Sequence, residues 1–163
     1  MTESIAEKIA AAGLELPTAM QLPPGLQLPF SFCKVSGRRV LLSGHLPLNT
    51  DGSLWPVTGK VGAAVSIEEA YAAARQATLA MLGTLQRELG SLDRISNWLR
   101  VFGMVNTAPG CHQTAPVING CSDLLIELFG PDVGSHTRSA VGFAEIPFDC
   151  PVEIEAELEI DGP

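Results

Sequence analysis

The chain has 163 residues, enough for one domain with a sizeable core. Apolar residues make up 46% of it and charged residues only 17%, which indicates more apolar surface than one core can bury and favours self-association. The net charge of −8 and the lack of any Lys/Arg cluster argue against binding to nucleic acid, and no apolar run approaches the roughly 20 residues that cross a membrane.

The cysteines show no spacing that is typical of a disulfide framework or a metal site. Cys33, Cys111, Cys121 and Cys150 form no CxxC pair and have no histidine at ligand spacing. The first residues are mixed and acidic, unlike a signal peptide. We therefore expect reduced thiols in the cytoplasm and no bound metal or cofactor.

The N-terminal part of the chain predicts a short helix followed by an extended arm. Residues 2–12 have helical character, with Thr2 or Ser4 as the cap, and three prolines keep the next residues extended. We therefore divide the chain into an arm, residues 1–28, and one domain, residues 29–163.

Beyond the arm, a hairpin precedes a long helix. Two strands, 29–35 and 38–44, are predicted on either side of a Ser-Gly turn. Ser66 and Glu69 then form the sequence signature of a capping box, and alanine and leucine recur at helical spacing until Gly90.

The second half of the chain predicts one strand, one helix and two more strands. A buried strand over 97–105 is followed by a helix over 115–129, capped by Thr114 and ended by a Gly-Pro pair. The segments 137–147 and 152–160 alternate between apolar and polar residues, and a turn bracketed by prolines separates them. We therefore predict that these last two strands form an antiparallel pair.

The resulting order β-β-α-β-α-β-β favours an α+β fold, with one sheet and both helices on one of its faces. No remaining element of the chain covers the other face. We therefore expect another subunit to cover it.

Arg138 is the first candidate for function, because small residues follow it on the same strand face. Ala140 and Gly142 leave room beside a guanidinium, whose planar fork of donors suits a carboxylate. The alternative is a surface charge at a strand end. Likewise, Glu153 is either functional or one of four solvated glutamates on a polar strand face.

Three segments stand out alongside the element order: Leu41-Leu-Ser-Gly-His-Leu-Pro47, Arg138-Ser-Ala-Val141 and Ile146-Pro ahead of Val152-Glu-Ile-Glu-Ala156. With this order and these segments, the chain resembles the Rid family of RidA or YjgF-like reactive intermediate deaminases. The resemblance covers Pro29 to Ile160. It implies a chorismate-mutase-like fold, with one mixed sheet, and a homotrimer with clefts between subunits. It also implies cofactor-independent hydrolysis of enamines and imines to 2-ketoacids and ammonia.

Position by position, the resemblance assigns roles to four residues. Arg138 would hold the substrate carboxylate, and Glu153 would position or activate water. Ser43, with Gly44 beside it, would contact the substrate at the end of the second strand. Ser43 could equally close that strand by a hydrogen bond to the backbone.

Two family positions carry different residues in this chain, a pattern more like a divergent branch. The family tyrosine falls on Phe30, which keeps an aromatic wall but has no hydroxyl. The family cysteine falls on Ala140, which keeps its backbone N–H.

An antiparallel pairing of the last two strands would place Arg138 and Glu153 about 20–25 Å apart in one chain, so that only different subunits could bring them into one site. His45 follows the Ser-Gly pair and could reach the cleft. Asn119 could face the cleft or bond across an interface. Because no carboxylate can be placed beside a Ser-His pair, a hydrolase triad is disfavoured.

Two functions follow from this interpretation. The first is a trimeric deaminase for small 2-imino acids. The second is a non-catalytic trimer that binds a small carboxylate metabolite, as a sensor or partner module, and the missing tyrosine and cysteine favour it. The acidic chain argues against a ribonuclease.

Overall fold

A computed structural model describes residues 3–162. In chain order, the helices and strands are α1 Ile5–Ala11, β1 Cys33–Ser36, β2 Arg39–His45, α2 Ile67–Leu89, β3 Ile95–Asn106, α3 Thr114–Val133, β4 Thr137–Phe143 and β5 Val152–Ile160. Short 3-10 turns precede β3 and β5. Within the described residues, no helix is both long and apolar enough to cross a membrane.

The strands form one mixed sheet in the order β1-β2-β5-β3-β4. β4 runs parallel to β3, and the other neighbouring pairs are antiparallel. The helices α2 and α3 pack together and against the same face of the sheet. This architecture confirms the predicted chorismate-mutase-like α+β fold.

The predicted antiparallel pairing of the last two strands is wrong. β5 lies in the centre of the sheet and pairs with β2 and β3, whereas β4 lies at the edge beside β3. The alternation in β5 buries its whole apolar row, from Val152 to Ile160, under the helices. At the centre of the sheet the helices cover such a row best. Because β2 and β3 then occupy both edges of β5, no edge of β5 is left for β4.

The helix α2 begins and ends as predicted. The Ser66 hydroxyl accepts the N–H of Glu69, whose carboxylate accepts the N–H of Ser66, so the capping box is complete. Gly90 ends the helix in the left-handed conformation, with φ of 80°.

The helix α3 departs from its prediction at both ends. Its cap is Gln113, and the hydroxyl of Thr114 donates instead to the carbonyl of Ala140 in β4. At Gly130 the backbone leaves the helical region (φ 78°, ψ 171°), and the chain then continues helically to Val133. Thr114 therefore ties the start of α3 to the edge strand.

Two glycines let the elements approach closely. A Cβ added at Gly120 would lie 2.2 Å from the carbonyl oxygen of Tyr71, where α3 crosses α2. At Gly103 it would lie 2.5 Å from Ile118, whose side chain fills the space above β3. Close contact between the two helices thus depends on Gly120.

The arm packs on the helical side of the sheet. Ser4 caps α1, whereas the alternative cap, Thr2, lies outside the described residues. Ile5 and Ile9 of α1 are buried in the main core. Further along, the carbonyl of Pro17 accepts a hydrogen bond from Arg87 at the end of α2.

The face of the sheet opposite the helices is largely open. Its exposed apolar side chains include Leu41, Val141 and Phe143, and the ring of Phe143 packs edge-on against Phe102. The four alternating glutamates of β5 point to this face, as predicted. A partly apolar surface of this kind is suited to contact with another subunit.

Candidate functional site

Arg138 lies on the helical face of the edge strand β4. It is in register with the fully buried Val101, and its Nη1 donates to Asn119 Oδ1 at 2.8 Å and to Ser122 Oγ at 3.1 Å. Both acceptors are neutral, and Arg138 forms no ion pair with any residue of the described range 3–162. Its positive charge is therefore positioned without being neutralised.

The hydroxyl of Ser122 links Arg138 to a histidine, His136. The Ser122 hydroxyl donates to His136 Nε2 at 2.9 Å, and His136 Nδ1 donates to the carbonyl of Gly134 at 2.7 Å. A carbonyl can only accept, so the proton lies on Nδ1 and Nε2 is free to accept. Burial, followed by the charge of Arg138, lowers the pKa of His136 and keeps it neutral.

Sequence reasoning did not identify Ser122 and left Asn119 open. Asn119 contacts Arg138 of its own chain. The two polar residues are three positions apart and therefore share a face of α3. This three-residue spacing on one helix face was the signal that could have indicated them.

An open cavity of about 570 Å³ lies along the end of β4, from Ala140 to Ala144; it begins two residues after Arg138, which does not line it. Ala140, the residue at the family cysteine position, lines it, as do Val141 and Phe143 further along the strand. The loop after β3 forms the opposite wall and contributes Cys111 and His112. The cavity is wide enough for a small organic acid.

Glu153 lies on the open face of the sheet, over Gly44. A β-bulge in β2, between Leu42 and His45, places Gly44 there. A Cβ at Gly44 would lie only 1.9 Å from Glu153 Oε1, so only glycine leaves room for this carboxylate. Glu153 is half-buried, and burial, followed by the neighbouring charge of Glu155, raises its pKa.

Ser43 does not point into a site within this chain. Its hydroxyl donates to the carbonyl of Ser31 at 2.7 Å, and its N–H donates to the carbonyl of Phe32. These bonds fasten β2 to the segment just before β1. They correspond to the strand-closing role that the sequence left open for Ser43.

His45 is buried on the helical side, away from Glu153. Its Nδ1 donates to the carbonyl of Ser43 at 2.6 Å, and the hydroxyl of Thr84 donates to its Nε2 at 2.9 Å. Burial lowers the pKa of His45 to about 4, so it is neutral at pH 7. Arg87 Nη2 in turn donates to the Thr84 hydroxyl.

Phe30 lies beside a second cavity, of about 460 Å³, between the arm, β2 and the end of α2. We call it the arm cavity. Phe30 is half-exposed and packs edge-on against Phe32, which in turn contacts His45. The structure thus places Phe30 beside His45 and not beside Glu153.

With this geometry described, comparison with known proteins shows the family. Residues 6–158 match a family model described as "YjgF/chorismate mutase-like, putative endoribonuclease". The chain belongs to this YjgF family. The match confirms the resemblance to the Rid family that the sequence motifs indicated.

Several relatives of this YjgF-family chain match over nearly its whole length. Protein TCP17 of Trypanosoma cruzi is 36% identical over 157 residues, which are 96% of this chain and 94% of that protein. The crystal structure of Atu1372, a protein of unknown function from Agrobacterium tumefaciens, is 33% identical with a TM-score of 0.86, covering 96% of this chain and 92% of that one. A structure titled putative endoribonuclease, from Shewanella oneidensis, is 30% identical with a TM-score of 0.86, covering 97% and 100%.

The Rid-type residues form two groups in this YjgF-family chain. Arg138 and Ala140 lie on the helical face of β4, whereas Gly44 and Glu153 lie on the open face near β2 and β5. Counted over two strand spacings and three residues, the Cα atoms of Arg138 and Glu153 are about 14 Å apart, not 20–25 Å. The predicted distance was wrong because it assumed that β4 and β5 pair. Their side chains nevertheless point to opposite faces, so one chain does not bring them together.

Proposed function

We propose that this protein is a homotrimeric deaminase that hydrolyses small reactive 2-imino acids to 2-ketoacids and ammonia in clefts between subunits. The observation that carries the proposal is the setting of Arg138. Its guanidinium is positioned by two neutral acceptors and has no ion-pair partner among residues 3–162, and an open cavity begins two residues further along β4. A substrate carboxylate would supply the missing negative charge through paired hydrogen bonds.

The second functional group has to come from a neighbouring subunit. Glu153 points away from Arg138 in its own chain, and its raised pKa is typical of an acid/base residue. The open face that carries Glu153 also exposes Leu41 and, towards the edge, Val141 and Phe143. Burial of this face against the edge strand of a second copy would bring one protomer's Glu153 towards the other's Arg138.

The chemistry needs few groups. Taking 2-aminoacrylate as the example, a proton is added at C3 and the enamine becomes an iminium. Water then attacks C2, and loss of ammonia from the resulting carbinolamine leaves pyruvate. Glu153, protonated more readily than an ordinary glutamate, would give a proton and then accept one from the attacking water, while Arg138 holds the carboxylate.

A coupled assay tests the proposal. Serine dehydratase generates 2-aminoacrylate, and the rate of pyruvate formation is followed with and without the protein. We expect acceleration that Arg138→Ala abolishes and Glu153→Gln reduces by about 10²–10⁴-fold. Arg75→Ala and Glu159→Gln are matched controls, because Arg75 lies on the outer side of α2 and Glu159 at the far end of β5.

Mixing two inactive variants tests whether two subunits share the site. If the Arg138→Ala and Glu153→Gln chains are refolded together in equal amounts, random trimers recover an intact cleft at about a quarter of their interfaces, and activity should return to about that level. Light scattering on the same samples reports the assembly. A monomer, or a mixture as inactive as its components, would refute the shared cleft.

One observation favours binding without catalysis as the second candidate. The Ser43 hydroxyl is already engaged with Ser31, and Phe30 offers no hydroxyl, so Arg138 and Glu153 are the main groups left for chemistry. In that case the protein would not accelerate pyruvate formation. A 2-ketoacid would still raise its melting temperature, and Arg138→Ala would remove this effect.

A further inference from the structure

The arm cavity combines an apolar wall with a polar, charged rim. Met20, Leu22 and Leu28 of the arm face it together with Leu46 and Leu48 after β2, which gives it one apolar wall. Its polar rim is formed by the last turn of α2. Its volume of about 460 Å³ lies within the range of small-molecule sites.

Arg87 on this rim is held in the same way as Arg138. Arg87 donates to the carbonyl of Pro17 at 3.0 Å and to the hydroxyl of Thr84 at 3.1 Å, and that hydroxyl donates a hydrogen bond to the buried, neutral His45. Arg138 likewise donates to a neutral oxygen and to a hydroxyl that bonds a neutral histidine. Neither arginine forms an ion pair within residues 3–162. Two hydrogen bonds therefore position the positive charge of Arg87 on the rim of the arm cavity.

Glu88 gives the same rim a negative charge. It lines the cavity beside Arg87 and forms no ion pair within the described part of the chain. Burial lowers the pKa of Arg87, and the charge of Glu88 partly offsets this lowering, so the two opposite charges act on each other without forming an ion pair. The rim therefore offers both a positive and a negative group to a ligand in the cavity.

The apolar wall, Arg87 and Glu88 together define the chemistry of a ligand. An apolar acid would be attracted by Arg87 but repelled by Glu88, whereas an apolar amine would be attracted by Glu88 but repelled by Arg87. A molecule with adjacent carboxylate and ammonium groups satisfies both, and an apolar side chain covers the remaining wall. We propose that the arm cavity is a second ligand site, which takes an apolar α-amino acid.

This proposal does not depend on deaminase activity. Arg138 and Glu153 do not line the arm cavity, and the ligand class follows from Arg87 and Glu88. Phe30 contributes to the wall but provides no charge. The two sites can therefore be tested separately by variants of the two arginines.

Titration calorimetry on the full-length protein tests the proposal. The probes are L-leucine, L-methionine and L-phenylalanine, with 4-methylpentanoate and isoamylamine as the analogues of leucine that lack one charge. We expect binding of at least one amino acid, with each analogue at least about tenfold weaker, because each loses a charge-assisted contact. Failure of all three amino acids to bind, or equal binding of 4-methylpentanoate, would overturn the proposal.

Variants locate the binding. Arg87→Met and Glu88→Gln should each weaken amino-acid binding at least about tenfold, whereas Arg75→Met and Arg138→Ala should leave it unchanged. Because Arg87 also holds the arm through Pro17, Ala19→Trp provides an independent variant that fills the cavity without removing a charge. Loss of binding in Arg138→Ala, or retention in both Glu88→Gln and Ala19→Trp, would refute the site.

Discussion

The contact between Gly44 and Glu153 offers the sharpest test of the site, through the substitution Gly44→Ala. The new Cβ would lie 1.9 Å from Glu153 Oε1, 2.7 Å from its Cδ and 3.0 Å from its Cγ, whereas ordinary contact begins at 3.4 Å. The carboxylate oxygen must therefore move by at least about 1.5 Å, the difference between 3.4 and 1.9 Å. Since Gly44 is not among the glycines in the left-handed region, its backbone accepts alanine without strain.

The expected change in stability is small. Turning a χ angle of Glu153 by about 30° away from its rotamer, to make room for the new Cβ, costs about 0.5–1.5 kcal/mol. Replacing glycine by alanine restricts the unfolded chain and offsets about 0.4–1 kcal/mol of this. The free energy of unfolding should therefore change by less than about 1 kcal/mol, while the carboxylate moves from its half-buried position towards water.

The pKa of Glu153 is the direct measurement, by NMR titration of its side-chain carboxyl carbon. In the wild-type protein the fold raises this pKa, so the folded state holds the proton more tightly than the unfolded chain. The stability contribution of Glu153 therefore falls as the pH rises from the unfolded pKa through the folded one. In Gly44→Ala the pKa should fall towards its ordinary value, and this pH dependence should flatten.

Activity and a double mutant complete the test. If Glu153 acts in the cleft, Gly44→Ala should slow turnover by about 10²–10⁴-fold despite its normal stability. In a Glu153→Ala background the same substitution should have no further effect on stability, because the new Cβ then meets no side chain. A raised pKa that survives in Gly44→Ala would refute the contact, and a normalised pKa with full activity would refute the role of Glu153.

Two further predictions concern stability alone. Because the fold lowers the pKa of His45 from 6.5 to about 4, the protein should lose stability as the pH falls from 6.5 to 4, by about 3 kcal/mol at about 1.36 kcal/mol per pH unit. Urea unfolding across this range should show the full loss in the wild type and in His112→Gln but a smaller loss in His45→Phe, where His136, whose pKa is also lowered, still contributes. Equal pH profiles in the wild type and His45→Phe would contradict the prediction. Gly120→Ala should destabilise by at least about 1–3 kcal/mol, because its Cβ would meet the Tyr71 carbonyl 2.2 Å away and backbone cannot rotate aside. Urea unfolding of Gly120→Ala that matches the wild type would show that the two helices do not pack closely at this point.

For the site, the sequence indicated single residues better than their arrangement. Arg138 stood out because small residues follow it, and in the structure those small residues, Ala140 and Gly142, line a cavity. The partners Asn119 and Ser122 lie far from Arg138 in the chain, and their contact with it depends on how α3 packs on β4. Ser43 was assigned a substrate contact by resemblance, but its hydroxyl donates to the carbonyl of Ser31, a contact that depends on how β2 pairs with the segment just before β1.

The sequence by itself determined the local features of this protein. The capping box at Ser66 and the alternation of β5 predicted a helix boundary and the two faces of a strand correctly, because both depend only on residues a few positions apart. Only the tertiary structure decided that β5 lies at the centre of the sheet and β4 at its edge. Alternation specifies which side chains are buried but leaves both edges of a strand free to pair, so the choice of partner depends on the packing of the whole sheet. That choice places Arg138 and Glu153 on opposite faces, and therefore requires a second subunit if they are to act together.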